Sequence, residues 1–196
     1  MPTRRARTPD LDSVVTTAAR LFHQFGYQNT TMQAIADELG IAKPTLYVHA
    51  KSKTYLLGQI FQRMLDQGDQ LVEGALAEPD AIVGVESLIR GQISLSRTYR
   101  DYYGVIYGDQ RELPADLDRV YRQWSRDFVR RVELLVSRGQ QQGTIRSEFT
   151  ALVVAQTLIG ITGWSARWVG RRSAIGVETV VRETTAMILD GLRAER

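Results

Sequence analysis

Residues 30–57 read TTMQAIADELGIAKPTLYVHAKSKTYLL, and this stretch decides the fold. Asn29, Thr30 and Thr31 carry the short polar side chains that cap a helix N-terminus. Ile35, Ala36 and Leu39 then repeat at helical spacing, and Gly40 gives a sharp stop. Ile41 points inward. Ala42 to His49 forms a second short helix with Pro44 in its first turn, where the missing N–H costs nothing. Two short helices across a glycine-containing turn of three or four residues match the helix-turn-helix pattern. A plain helix hairpin inside a larger bundle is the competing reading.

Working outward, residues 1–9, MPTRRARTP, hold three arginines and two prolines without an apolar period, and read as a flexible basic arm. From Asp10, the positions Val14, Ala18, Leu21, Phe22 and Phe25 mark one face of a helix that ends at Gly26. On the other side, Ser52 and Lys53 open a helix with an apolar stripe of Leu56, Leu57, Ile60, Phe61, Met64 and Leu65, running to about Ala75. Glu78-Pro79-Asp80 breaks it. Helical periods continue over 81–99, 101–108, 115–141, 150–169 and 175–193, with breaks at Glu112-Leu113-Pro114, Gly143–Ser147 and Gly170–Ser173. Ala151 to Ile161 is rich in Val, Ile and Leu, yet its length and flanks favour helix over strand. The expected fold is all-α with about nine helices: a basic arm at 1–9, a three-helix helix-turn-helix domain at 10–55, and a helical domain at 56–196.

Composition removes several function classes. With 43% hydrophobic and 24% charged residues the chain can bury a core, which argues against disorder. No apolar run approaches the roughly 20 residues of a membrane span, so neither a membrane partner nor a secretory leader is expected, and a cytoplasmic location follows. Cysteine is absent, and His23 and His49 are the only histidines. Thiolate metal sites, cysteine catalysis and a Ser/His/Asp triad are therefore not expected, and no cofactor or enzymatic role is foreseen. The net charge is +3 and its placement is informative: residues 1–53 hold seven Lys/Arg and four Asp/Glu, leaving eighteen of each sign in the rest. All the excess positive charge sits in the first quarter, where a polyanion would bind.

Read as a DNA-binding unit, residues 30–53 give nearly every polar side chain a task. The Thr31 hydroxyl and the helix it caps face a phosphate. Lys43, Pro44, Thr45 and Tyr47 lie on the second helix, whose leading residues meet base edges in such units. Lys43 suits guanine O6 or N7, while Thr45 and Pro44 suit a thymine methyl. Tyr47 and His49 fit phosphate or sugar, and Lys53 a flanking phosphate.

The density of agreement over about residues 11–58 resembles the DNA-binding domain of the TetR family of bacterial repressors: Ala19, Phe22, Gly26, Thr30-Thr31, Ile35-Ala36, Gly40, Leu46-Tyr47, His49, Lys51, Lys53 and Leu56-Leu57. That resemblance implies a homodimer on a near-palindromic double-stranded operator, its two reading heads on the order of 34–36 Å apart. It also implies dimerisation through the last two helices, to which Leu152, Ala155, Leu158, Ile159 and Thr162, with Val177, Val181, Thr184 and Ile188, are assigned. The segments around Val105–Leu113 and Gly163–Trp168 are similar to repressors of lipid and steroid catabolism, some responsive to acyl-CoA. An acyl-CoA or other lipid-like inducer would then meet Tyr103, Tyr107, Tyr121, Trp124, Trp164, Arg167 and Trp168, unless these aromatics are simply core. Inducer binding would be passed to the heads through the helix from Lys53 and the Tyr102–Tyr107 segment. The alternative is a DNA-binding regulator without a small-molecule ligand.

Overall fold

Asp10 starts the first helix by accepting the Ser13 N–H (2.9 Å) and the Ser13 hydroxyl (2.7 Å) on one carboxylate oxygen. Such caps punctuate the whole computed structural model, which describes residues 9–108, 114–168 and 175–194. Among the described residues there are nine helices: α1 (Leu11–Phe25), α2 (Met32–Glu38), α3 (Lys43–His49), α4 (Lys53–Ala77), α5 (Ala81–Thr98), α6 (Arg100–Gly108), α7 (Ala115–Gln141), α8 (Ala151–Trp168) and α9 (Val177–Leu192). The one β-type pairing described is an isolated bridge between Ile145 and Arg193. The segment Ala151–Ile161 is thus helix, with Val154, Ala155 and Leu158 buried on one face and Leu152, Val153 and Ile161 exposed on the other. The arm at 1–8 and the breaks over 109–113 and 169–174 lie outside the described residues.

Packing divides the chain into two units, Met1–Met64 with Asp101–Asp118, and Leu65–Arg100 with Arg119–Arg196. By this packing the start of α4 up to Met64, and α6 from Asp101 on, group with the first three helices. The reason is the start of α4, where Leu56, Leu57, Ile60 and Phe61 are all buried. In the same unit Val14, Val15, Ala18 and Phe22 of α1, Ile35 and Ala36 of α2, and Leu46 of α3 are buried, as are Tyr102, Tyr103, Val105 and Ile106 of α6. Gly40, at φ +65°, lets the chain reverse between α2 and α3, with the Ile41 N–H returning to Ala36 O at 3.0 Å.

In the second unit α5 is the central rod, packed on α8 and α9. Val85, Leu88, Ile89 and Ile93 meet Val132, Leu135 and Val136 of α7, Ala155 and Leu158 of α8, and Val181 and Leu189 of α9 in one core. Two buried polar pairs fix the register of α5 against α8: the Thr162 hydroxyl donates to Gln92 Oε1 (2.7 Å), and the Ser96 and Ser165 hydroxyls lie 3.3 Å apart. Arg138 closes the end of α4 by donating to the carbonyls of Leu76 (2.8 Å) and Glu78 (2.7 Å).

Backbones approach closely at Gly84, where a Cβ would lie 2.4 Å from the Ala75 carbonyl oxygen and 3.0 Å from Leu135. Gly74 of α4 is the contrasting case, since a Cβ there meets nothing within 4 Å. Gly84→Ala is expected to lower the unfolding free energy by about 1–3 kcal/mol through overpacking, whereas Gly74→Ala raises it by about 0.5–1 kcal/mol through helix propensity. Urea unfolding of both variants checks the opposite signs.

Candidate nucleic-acid interface

The loop between α1 and α2 sets the angle of the helix-turn-helix, and side chains tie it down from both ends. The buried Thr30 hydroxyl donates to the carbonyls of Gly26 (2.9 Å) and Leu21 (3.2 Å), and Asn29 Nδ2 donates to Phe25 O (3.0 Å). From the opposite side Lys53 Nζ donates to the carbonyls of Tyr27 (2.6 Å), Thr30 (2.9 Å) and Gln28 (3.2 Å), and sits 4.4 Å from the centre of the Tyr27 ring. Three donors meet three acceptors, so the ammonium is already engaged. This corrects the expected phosphate contact of Lys53: its charge braces the loop instead. Tyr27 completes the brace, edge-on to Phe22 with ring centres 5.1 Å apart and its hydroxyl 3.1 Å from Thr54 Oγ1.

On that frame Thr31 caps α2 by accepting the Ala34 N–H at 3.1 Å, which leaves its exposed hydroxyl proton directed elsewhere. Helix α3 is held by Leu46, its one fully buried side chain, and by the buried Ala50 that follows. Lys43, Pro44, Tyr47 and Val48 are exposed, and Thr45 is half-buried. A cation, a ring, a phenol and an apolar side chain thus share the exposed side of one short helix. His49 departs from expectation. Its Nε2 is shut away from solvent without a hydrogen-bond partner, so that atom does not reach a phosphate. Val48, which sequence patterning does not single out, is 80% exposed. It lies one turn beyond Pro44 on the same face.

Still in the first unit, α6 is tied to α1 and α4. His23 Nδ1 and Asp101 Oδ1 are 2.8 Å apart, and the Tyr102 hydroxyl lies 3.2 Å from Thr16 Oγ1 while accepting from Arg63 Nη1 at 3.2 Å. Arg63 also pairs with Asp12. Gly104 faces the His23 ring so closely that a Cβ would come within 2.3 Å of it.

The expected inducer contacts are divided between the two units. Tyr103 is buried in the first unit, and the Tyr107 side chain lies outside the described residues. In the second unit Tyr121, Trp124 and Phe128 stack along α7, with ring centres 6.3 and 4.9 Å apart, and Trp124 Nε1 donates to Asp69 Oδ1 at 2.9 Å. Arg131 pairs with the same carboxylate. Burial pushes the Tyr121 phenol above its ordinary value of 10.0, so it stays neutral. Trp164, Arg167 and Trp168 instead lie exposed on α8, the Arg167 guanidinium 4.8 Å over the Trp164 ring.

Most residues expected at a dimer contact belong to the protomer's own core. Ala155, Thr162, Val181 and Leu158 are buried, Ile159, Val177 and Ile188 pack against that core, and Thr184 is half-buried. Leu152 alone is exposed. The outward face of α8 is carried by Val153, Thr157, Gly160, Ile161, Trp164 and Trp168, offset from the predicted stripe by about 100° per residue of shift. Helical periodicity gives two faces when both are apolar, and sequence does not say which one looks outward.

A profile of bacterial regulatory proteins of the tetR family matches residues 14–60, and one described as tetracyclin repressor-like, C-terminal domain, matches residues 85–192. The HTH-type transcriptional repressor KstR2 of Mycolicibacterium smegmatis is 26% identical over 188 residues, covering 92% of this chain and 89% of its own. The ketosteroid transcriptional regulator KstR2 of Mycobacterium tuberculosis superposes over 100% of this chain and 98% of its own with a TM-score of 0.85 at 17% identity. AibR, solved in complex with isovaleryl coenzyme A and operator DNA, superposes over 90% of this chain and 96% of its own with a TM-score of 0.78 at 24% identity. At such identities these two structures show the fold.

Lys53→Met keeps the length of the side chain and removes its donors. It is expected to cost about 1–3 kcal/mol, because partly buried carbonyls lose their partner, while Lys43→Met on the exposed crest stays within about 0.5 kcal/mol of the parent. Thermal unfolding of the pair decides; equal stabilities would refute the bracing role.

Proposed function

Because the chain belongs to the TetR family of bacterial regulatory proteins, we propose that it is a transcriptional repressor that binds a near-palindromic operator as a homodimer and is released by an acyl-CoA or similar lipid-like inducer. The observation that carries the DNA-reading part is the outer side of α3, where Lys43, Pro44, Tyr47 and Val48 project from a helix-turn-helix whose own apolar side is buried. Lys43 is placed to donate to guanine O6 or N7, Tyr47 and Thr31 to phosphate oxygens, and Pro44 and Thr45 to approach base edges. Arg20 pairs with Glu38, offsetting one of the two acidic groups at the end of α2.

The operator half is tested by footprinting the protein on the DNA upstream of its own gene. Lys43→Ala and Tyr47→Ala are expected to weaken the protected site by about 1–3 kcal/mol each, roughly 5- to 150-fold, with unchanged helicity. Unaltered footprints in both variants overturn the assignment.

Two supports point to the inducer class. AibR is solved with isovaleryl coenzyme A, and in this chain the half-buried Tyr121 and Trp124 rings, stacked above the buried Phe128, offer an apolar edge for an acyl chain while Arg122 and Arg126 stand exposed on the same helix for phosphates. The ties from Asp101 and Tyr102 to His23, Thr16 and Arg63 give α6 a direct grip on the reading head. A ligand that favours another position of α6 then shifts the head between two states. In fluorescence anisotropy, acyl-CoA thioesters are expected to lower operator affinity by about 5- to 150-fold, free coenzyme A much less. Unchanged affinity with acyl-CoA bound at saturation favours a regulator without such an inducer.

Dimerisation is assigned to the outer face of α8 together with α9. Val153, Ile161, Trp164 and Trp168 are all more than 40% exposed, an apolar stripe of the kind that marks an interface. At Gly160 a Cβ meets nothing within 4 Å, which leaves room for a partner helix to come close. Trp164→Ala is expected to raise the dimer dissociation constant at least about 30-fold, measured by sedimentation equilibrium. A monomeric parent protein would sink this part.

A further inference from the structure

Val48 is the most exposed large apolar side chain among the described residues, at 80%, and it stands on the helix that carries the proposed base contacts. Successive residues of a helix turn by about 100°. Val48 is therefore about 200° from Leu46, which is fully buried. Pro44, two residues to the other side of Leu46, is exposed and shares that crest. The crest of α3 is thus apolar at two positions one turn apart, with Lys43 and Tyr47 beside it.

We propose that Val48 is a specificity residue that reads the 5-methyl group of thymine in the major groove, with Pro44 against the same strand. The proposal rests on the operator-reading role given above and adds which base is chosen and why. Of the four bases only thymine shows a methyl group on the major-groove edge; the others present donors and acceptors alone. An isopropyl group held against those polar atoms would strip them of water and return no hydrogen bond, which disfavours them. Against a methyl group the same side chain removes apolar surface from water on both sides. Residues one turn apart on a helix are about 5–6 Å apart, within two base steps of roughly 3.4 Å, so Val48 and Pro44 fit neighbouring thymines. The occupant is a nucleic acid and not a protein, since residues 1–53 hold all the excess positive charge of the chain and this crest lies among them.

The test uses the full-length protein and the operator found by footprinting or by selection from random duplexes. Each thymine of a half-site is replaced in turn by deoxyuridine, which removes the methyl group and keeps every hydrogen-bonding atom. At one or two positions per half-site the replacement is expected to weaken binding about three- to fivefold, the worth of one buried methyl. Val48→Ala is expected to weaken binding to the thymine duplex by a similar factor and to bind the uracil duplex at that position as well as the parent does. Val48→Thr, with one methyl exchanged for a hydroxyl, should shrink the thymine preference as well. Thymine preference that survives unchanged in both variants, or no thymine sensitivity anywhere in a footprinted site, overturns the inference while leaving operator binding in place. Absence of any protected DNA overturns the repressor reading itself, and this inference with it.

Discussion

A helix of seven residues has almost no stability of its own in water, because nucleation fixes several residues for each hydrogen bond gained. Helix α3 exists only through its attachments: the burial of Leu46, the reversal at Gly40, and the loop that Lys53 braces through three carbonyls. Everything proposed for the head depends on this constraint, since a recognition helix that frays cannot hold side chains against base edges. A positive charge that sequence reading sends outward to a phosphate is used inward, on the backbone. The ammonium fits this task because its three donors are arranged around one point, and three carbonyls at the end of a loop converge on such a point.

The second structural theme is where the head ends. By packing, it includes the start of α4 and the whole of the described part of Asp101–Asp118. Helix α6 is thus bonded to α1 and α4 by polar side chains, His23 with Asp101 and Tyr102 with Thr16 and Arg63, and by the flat approach of Gly104 to the imidazole. Polar ties of this kind are directional and have discrete alternatives, whereas an oily contact tolerates sliding. An element bonded in this way is suited to switching between defined positions.

Sequence reading recovered the element order and nearly every helix boundary, because Asp10, Thr31, Asp80, Gly26 and Gly40 are caps or stops that act locally. The family is equally legible, since the residues around Gly40 and Leu46 build one packing unit from a short stretch of chain. Side-chain direction was harder. Lys53 and His49 lie at a helix start and a helix end, where the chain turns and periodicity gives no bearing, and both point inward in part. On α8 both faces are apolar, so periodicity alone assigns Ala155 and Thr162 to a dimer contact, whereas both are buried and Thr162 bonds to Gln92 of α5. Residue type alone groups the aromatics Tyr103, Trp124 and Trp164; in the fold Tyr103 is buried in the first unit, Trp124 stacks on Phe128 of α7 and Trp164 is exposed on α8.

The opposition of Leu46 and Val48 across one narrow helix has a bearing on how such proteins diversify. The residue that anchors the helix is fully buried while the residue on the crest is 80% exposed, so the two answer to different surroundings. If the crest reads DNA as proposed, mutations along it change which DNA is bound at little expense in fold stability, since exposed positions carry little of the packing. A duplicated copy of this chain can drift to a new set of promoters through a few exposed codons while its architecture stays intact.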